Sequence, residues 1–247
     1  ESLGIRSSLF KDFKKMQKKE LETLSSFYSF LTNRIQIDDF VLSHSAVHEF
    51  NLTQKSVIEF KQKVDTAKET LYHKTGNVMD FDTLLTTLYR HLRDNSRFAH
   101  FVYSRYQMFY IDEFQDTSEI QYEILKYYFG LPAKLKSGEL PLKDVLVVGD
   151  DDQCIYSWRG SDKDIIKSRY LSDYQPNIFY MTRNYRCSSN ILNFCKPSIL
   201  QNTQRFDKQL DAKDFEGEKV QILTSIPVKN WRSFITKLTE QGTLGLL

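Results

Sequence analysis

The sequence predicts an α/β fold in two textures: a helical part over residues 1–105, then short apolar strands alternating with helices. Three observations predict it. Apolar residues recur at helical spacing through the first part. Past Gln107 come brief, nearly continuous apolar runs of strand length. Between those runs the spacing returns to the helical period, which is the pattern of a parallel sheet with its ligand groups at the strand carboxyl ends.

The elements follow in order. Phe10 to Leu31 sets Phe10, Phe13, Leu21, Leu24, Tyr28 and Leu31 at helix-like intervals, with lysines between them. A second helix is expected over Leu52 to Tyr72, stopped by Gly76-Asn77. A third covers Phe81 to Leu92, with Leu84, Leu85, Leu88 and Leu92 on one face. The lysine run Lys11, Lys14, Lys15, Lys18 and Lys19 could touch a nucleic-acid backbone, but such runs are more often solvated helix faces.

Met108-Phe109-Tyr110-Ile111 reads as a buried strand ending on two acids, and Ser118 to Phe129 as a helix capped by Thr117 or Ser118. Val145 to Val148 is a second buried strand, ending at Gly149. Ile178 to Met181 and Lys219 to Thr224 are a third and a fourth. Ser188 to Leu200 and Trp231 to Leu238 are helical, and Pro132 to Pro141 is a surface loop.

Composition narrows the function classes. A net charge of +2 gives no global attraction for nucleic acid, so any such contact must come from a local groove. Cys154, Cys187 and Cys195 have no paired spacing, which argues against a disulfide framework or a zinc site and fits a reducing, cytoplasmic setting. Cys187 and Cys195 read as small buried residues. Among the histidines only His44 and His48 stand at a helical ligand spacing, with no supporting acid. No apolar run reaches the length of a membrane span, and residues 1–10 lack a positive start followed by an apolar core, so neither membrane nor leader is expected.

Asp112-Glu113 directly follows an apolar strand. Two such acids can divide phosphoanhydride hydrolysis, one holding Mg²⁺ and the other accepting a proton from the attacking water. Alone, the pair would be an acidic turn. It opens the block Asp112-Glu113-Phe114-Gln115-Asp116-Thr117. Val148-Gly149-Asp150-Asp151-Asp152-Gln153-Cys154-Ile155-Tyr156-Ser157-Trp158-Arg159-Gly160-Ser161 comes next, and then Asn184-Tyr185-Arg186-Cys187-Ser188-Ser189-Asn190-Ile191-Leu192.

In this order and spacing the three blocks resemble motifs II, III and IV of the UvrD/Rep/PcrA helicases of superfamily 1. Val78 to Leu85 is similar to the Asp-Phe segment before motif II, and Gly217 to Leu223 to the strand after motif IV. The resemblance implies a 1B-like helical region over residues 1–105. It also implies a partial RecA-like 1A motor domain over 106–176 and the start of a 2A domain over 177–247. It implies ATP and Mg²⁺ as cofactors. Asp112 would ligate Mg²⁺, Glu113 would orient and deprotonate the hydrolytic water, and Gln153 would sense the γ-phosphate. Arg186 would meet the charge that builds on that phosphate, and Tyr185 would stack on adenine. Tyr156 and Trp158 would stack on bases of a single strand, with Arg159 supporting the same network. Outside such motifs each of these side chains would be read as an ordinary core, surface or ion-pair residue.

None of the nine glycines is followed by lysine, so the phosphate-binding loop is not found in this sequence, nor are motifs V and VI. The expectation is a fragment of an ATP-dependent 3′–5′ DNA helicase of repair or replication, negligibly active by itself. The strands ending at Ile111 and Val148 should then expose an edge, covered locally or by the missing segments or another protein. The alternative is an inactive truncated paralogue that binds single-stranded DNA or a partner protein. A recombination nuclease–helicase subunit ranks lower, because no nuclease motif is present.

Overall fold

The computed structural model describes residues 16–74, 79–130, 141–212, 216–220 and 236. The chain divides into two compact units after Asn177.

The first unit begins with α1 (Lys18–Thr32), whose entry is closed by the Gln17 N–H donating to Glu20 Oε2 at 2.7 Å. Its apolar face buries Leu24, Phe27, Tyr28, Phe30 and Leu31. Short helices α2 (Asp39–Leu42) and α3 (Ser45–Glu49) and the long α4 (Gln54–Lys74) close over that face. Val41, Ala46, Val47, Val57 and Phe60 complete this core. Polar side chains fix where the helices start. Asp38 caps α2 by accepting from Val41 N at 3.0 Å, and His44 caps α3 through Nδ1, which accepts from Ala46 N at 3.1 Å. Each such cap contributes about 1 kcal/mol.

Helices α5 (Phe81–Asp94, capped by Asp80) and α6 (Ser96–Arg105, capped by Asn95) pack with α7 (Glu119–Phe129) around Leu92, Val102, Ile120 and Ile124. Ser118 caps α7, and Gly130 ends it with φ +92°. Strands β1 (Met108–Ile111) and β2 (Asp144–Val147) pair in parallel, with Met108 opposite Asp144 and Ile111 opposite Val147. A wide turn over Ile165–Arg169 leads into α8 (Tyr170–Tyr174), whose Tyr170 ring meets Phe114 edge-on at 5.2 Å.

The expectation of buried strands is corrected. Phe109, Ile111, Val145 and Val147 are half-buried, whereas Met108, Tyr110, Leu146 and Val148 are exposed, Tyr110 by 72%. The reason is one-sided cover: Phe109 packs against Phe129 and Tyr128 of α7, and no described element lies over the opposite face. Among the described residues β1 and β2 pair only with each other.

In the second unit, β3 (Arg183–Asn184) pairs in parallel with β4 (Asp211–Ala212), and Ser188 caps α9 (Ser189–Ile199). Two further expectations are corrected. Ile178 to Met181 is exposed and forms no strand, and among the described residues pairing in this unit starts at Arg183. Cys195 is exposed, because α9 buries none of its residues, and Cys187, which precedes that helix, is only half-buried. Several expectations lie outside the described residues: the start of the first helix before Met16, the Gly76-Asn77 stop, and the loop from Pro132 up to Pro141. So do the strand beyond Val220 and, apart from Thr236, the helix over Trp231 to Leu238. No helix among the described residues is long and apolar enough to cross a membrane.

Candidate functional site

The parallel register brings the residue after β1 and the residues after β2 to one carboxyl edge. Val148 N donates to Ile111 O at 2.8 Å, and Phe114 N donates to Val148 O at 2.9 Å, so the pairing continues past both strands. Asp112 and Glu113 are exposed at this edge. The Asp112 carboxylate accepts the Glu113 N–H at 2.9 Å, and Glu113 takes a left-handed conformation with φ +50°. That region is uncommon for a residue with a side chain and costs on the order of 1 kcal/mol. Below it, Phe114 is fully buried between Tyr122 and Tyr170, which anchors the turn over Phe114–Asp116.

Gln115, 2% exposed, joins the two strand ends. Its Nε2 donates to Glu113 Oε2 at 2.7 Å, and its Oε1 accepts the Asp150 N–H at 3.0 Å. Because the backbone N–H can only donate, the orientation of the Gln115 amide is fixed. The Asp150 carboxylate in turn accepts from Asp152 N at 3.1 Å and from Gln153 Nε2 at 2.7 Å. A chain of hydrogen bonds thus runs from Glu113 through Gln115 and Asp150 to Gln153. Gly149 makes room for it: a Cβ there would stand 2.8 Å from Gln115 Oε1 and 2.9 Å from Ile166 Cδ1.

After Gln153 the chain turns outward. Tyr156 and the turn Ser157–Arg159 are exposed, Trp158 by 56%, and the Arg159 guanidinium lies 5.6 Å from the Trp158 ring centre. This protruding segment is tied back at its end. Ser161 Oγ donates to Asp116 O at 2.7 Å, and Asp162 N donates to Thr117 O at 3.2 Å. Gly160, at φ +99°, packs against α1, where a Cβ would stand 2.7 Å from Asn33 Cβ.

Arg34, 8% exposed, lies beside that contact. Its Nη1 donates to Asp162 Oδ2 at 2.8 Å, its Nε lies 3.3 Å from Glu119 Oε2, and its Nη2 lies 3.3 Å from Asp38 Oδ2. Burial opposes its charge, but Asp162, Glu119 and Asp38 outweigh it and hold the guanidinium pKa above its ordinary value. Asp116 is different: burial, and then the charge of Glu113, push its carboxyl above the usual range, and its Oδ1 is buried without a hydrogen-bond partner. It lies where two clefts meet. One, of about 610 Å³, lies between Phe81 and Leu84 on one side and Tyr156 and Arg159 on the other. A second, of about 350 Å³, reaches Glu113 and Ile111.

Tyr185 and Arg186 belong to the second unit and are exposed there. Asn184 Oδ1 accepts both Arg186 N at 2.9 Å and Cys187 N at 2.7 Å, which fixes the turn between β3 and α9. The Arg183 guanidinium lies 5.4 Å from the Tyr185 ring centre.

The donor set at the edge fits a hard cation. Asp112 presents carboxylate oxygens at an exposed strand end, oriented by the Glu113 N–H, as Mg²⁺ held by one or two carboxylates requires. A second acidic group, Asp150, Asp151 and Asp152, brings carboxylate oxygens within 4.8 Å of one another. There Asp150 already holds its own turn through Asp152 N and Gln153. Sequence reasoning named Gln115 without a role and passed over Asn33 and Arg34 altogether. No motif marks the latter two, and burial of a polar residue leaves no periodic signal.

Comparison with known proteins gives a consistent result. The model of the UvrD/REP helicase N-terminal domain matches residues 4–173, more than half of the chain. Over 150 residues the chain is 34% identical to DNA helicase II of Haemophilus influenzae, covering 61% of this chain and 19% of that protein. Over 163 residues it is 31% identical to ATP-dependent DNA helicase PcrA of Staphylococcus aureus, covering 66% of this chain and 21% of that protein. PcrA of Staphylococcus epidermidis is 29% identical over the same length. The chain therefore spans about a fifth of the length of these relatives.

Proposed function

The chain belongs to the UvrD/REP helicase family, and from that premise we propose that its residues supply the metal-holding, coupling and strand-gripping parts of an ATP-driven DNA translocase. Residues 1–105 act as a 1B-like helical region, 106–176 as part of the first RecA-like motor domain, 1A, and 177–247 as the beginning of the second, 2A. Bound Mg²⁺·ATP supplies the phosphoanhydride bond and neutralises phosphate charge. Asp112 holds the metal, and Glu113 orients the attacking water and accepts its proton. Gln153 senses the terminal phosphate, Arg186 meets its developing charge, and Tyr185 stacks on the adenine. Tyr156 and Trp158 hold unpaired bases, with Arg159 beside them. Movement is 3′–5′ and serves DNA repair or replication.

The observation that carries this reading is the hydrogen-bonded path from Glu113 through Gln115 and Asp150 to Gln153, three residues before the exposed Tyr156. It supports a machine in which the state of the nucleotide is felt by the segment that grips DNA. No glycine of this sequence precedes a lysine, so the phosphate-binding loop comes from outside these residues, and these residues alone turn over ATP negligibly.

That same feature favours one second reading, a module that binds single strands or a partner without hydrolysis. Mg²⁺-dependent ATP hydrolysis, with and without single-stranded DNA and with Glu113→Gln as control, separates the two. DNA-stimulated turnover that vanishes in Glu113→Gln supports the motor and refutes the external loop. Strand binding without turnover, joined to recovery of turnover when a Gly-Lys-Thr-bearing segment is supplied, supports the motor as stated. Strand binding that no such segment converts into turnover leaves the binding module.

A further inference from the structure

Two segments distant in sequence meet at the end of α1. Asn33 Oδ1 accepts from Ser118 Oγ at 3.0 Å, so Asn33 contacts the residue that caps α7 just past the acids of the β1 edge. Asn33 O also accepts from Ile120 N at 3.2 Å. From the other side, Gly160 packs so closely on Asn33 that no side chain fits there. Arg34 repeats this arrangement with charge. Its guanidinium lies between Glu119, at the first turn of α7, and Asp162, two residues beyond Gly160. All three charged side chains are largely buried, with 5%, 13% and 15% of Arg34, Glu119 and Asp162 exposed. In so little water an ion pair is weakly screened and geometrically demanding.

We propose that Arg34, with Asn33, is a positioning residue: it clamps the exit of the Tyr156–Arg159 turn to the start of α7, and so sets the Trp158 and Tyr156 rings for binding an unpaired nucleic-acid strand. The clamp follows from the contacts themselves, while its purpose rests on the strand-binding role proposed above. Arg34 reaches neither ring. It acts through Asp162, and Asn33 through Gly160, at the exit of the turn that carries both rings. The stretch Ser157–Arg159 is exposed, and to the backbone ties at Ser161 and Asp162 the Arg34–Asp162 pair adds the charged, largely buried contact at its exit. Arg34, just past the end of α1, holds both the α7 start and the turn, and so keeps the strand-binding segment in register with the Glu113–Gln153 path, because Glu119 and Asp162 cannot separate without breaking a buried pair.

The test uses the whole chain carrying Trp231→Phe, which leaves Trp158 as its one tryptophan. Time-resolved Trp158 anisotropy and titration with oligothymidylate at low salt are compared for the parent, Arg34→Met, Arg34→Lys, Asp162→Asn and the Arg34→Met/Asp162→Asn double variant. The clamp predicts a new fast depolarisation of Trp158 and an affinity loss on the order of tenfold in Arg34→Met. Asp162→Asn gives a similar change, the double variant adds little, and Arg34→Lys recovers part of both. Circular dichroism identifies any variant that fails to fold, and Asp162→Asn then carries the comparison. Unchanged anisotropy and affinity in variants that merely melt earlier would overturn the proposal and leave Arg34 an anchor of α1. If the parent does not bind oligothymidylate, the strand-binding role fails, and the anisotropy alone still decides whether the clamp exists.

Discussion

The side-chain amide of Gln115 lies 2.7 Å from the Glu113 carboxylate, and its other end accepts the Asp150 N–H at 3.0 Å. A neutral, buried side chain therefore holds the acid of one strand end against the loop after the other. It can do so only as an amide, donating at one end and accepting at the other. Gln115→Met keeps the volume but leaves the Asp150 N–H without its acceptor, at a cost of about 1–3 kcal/mol. Gln115→Glu retains an acceptor for Asp150 but sets a second carboxylate against Glu113. Urea unfolding at neutral pH should show both variants less stable than the parent. The extra loss from charge repulsion in Gln115→Glu should shrink as the pH falls and the carboxylates protonate. A Gln115→Glu variant insensitive to pH would contradict the assigned contact.

Gly149 allows that path to form. An added methyl would press on Gln115 Oε1 and Ile166 Cδ1 inside 3 Å. Neither neighbour is the loose end of a surface side chain, so Gly149→Ala should cost about 1–3 kcal/mol as overpacking. Thermal melting is the measurement, and a variant as stable as the parent would show that the loop after β2 can shift at no cost.

Trp158 and Tyr156 are exposed, so truncating them removes little packing. Trp158→Ala and Tyr156→Ala should leave the melting temperature nearly unchanged while weakening single-strand binding by about 1–3 kcal/mol for each stacked base. The salt dependence of binding should hardly change, because neither ring neutralises a phosphate. Fluorescence anisotropy of labelled strands at several salt concentrations checks both parts.

His44 makes the helical core of the first unit sensitive to acid. Its ring stands 4.6 Å from Phe30 and 4.9 Å from Phe27, and its Nδ1 accepts the Ala46 N–H, which requires the neutral form. Burial lowers its pKa below the usual histidine value. The unfolded chain therefore binds the proton more readily than the folded one, and stability rises with pH. This contribution is fully present above the unfolded value of about 6.5 and is lost progressively as the pH falls from there toward the lower folded value. Denaturant unfolding at pH 7.5 and pH 5.5 should show a loss in the parent that His44→Asn reduces, since the shorter side chain can still cap the helix without titrating.

Much of the local structure was legible in the sequence. The apolar run Met108 to Ile111 is a strand, and the one expected from Val145 begins a residue earlier, at Asp144. Ser118, one of two expected caps, does cap α7, and α5 starts at Phe81 as its leucine spacing implied. These features depend on near neighbours along the chain, which periodicity and capping chemistry record. Burial was harder to read. Tyr110 and Leu146 belong to apolar runs that suggest cover on both faces, yet cover comes from other elements, and α7 lies over one face only. Ile178 to Met181 has the composition of a strand but pairs with nothing among the described residues, since pairing depends on what lies alongside.

By itself, the sequence determined the family and the order of its motifs, because those are carried in fixed runs of neighbouring residues. Only the tertiary structure decided that Gln115 joins Glu113 to Asp150, and that Arg34 faces Asp162 across 128 positions of chain. Buried polar contacts of this kind form between residues that folding brings together, and their energies depend on water being excluded around them. Neither the meeting nor the exclusion is written in any local pattern.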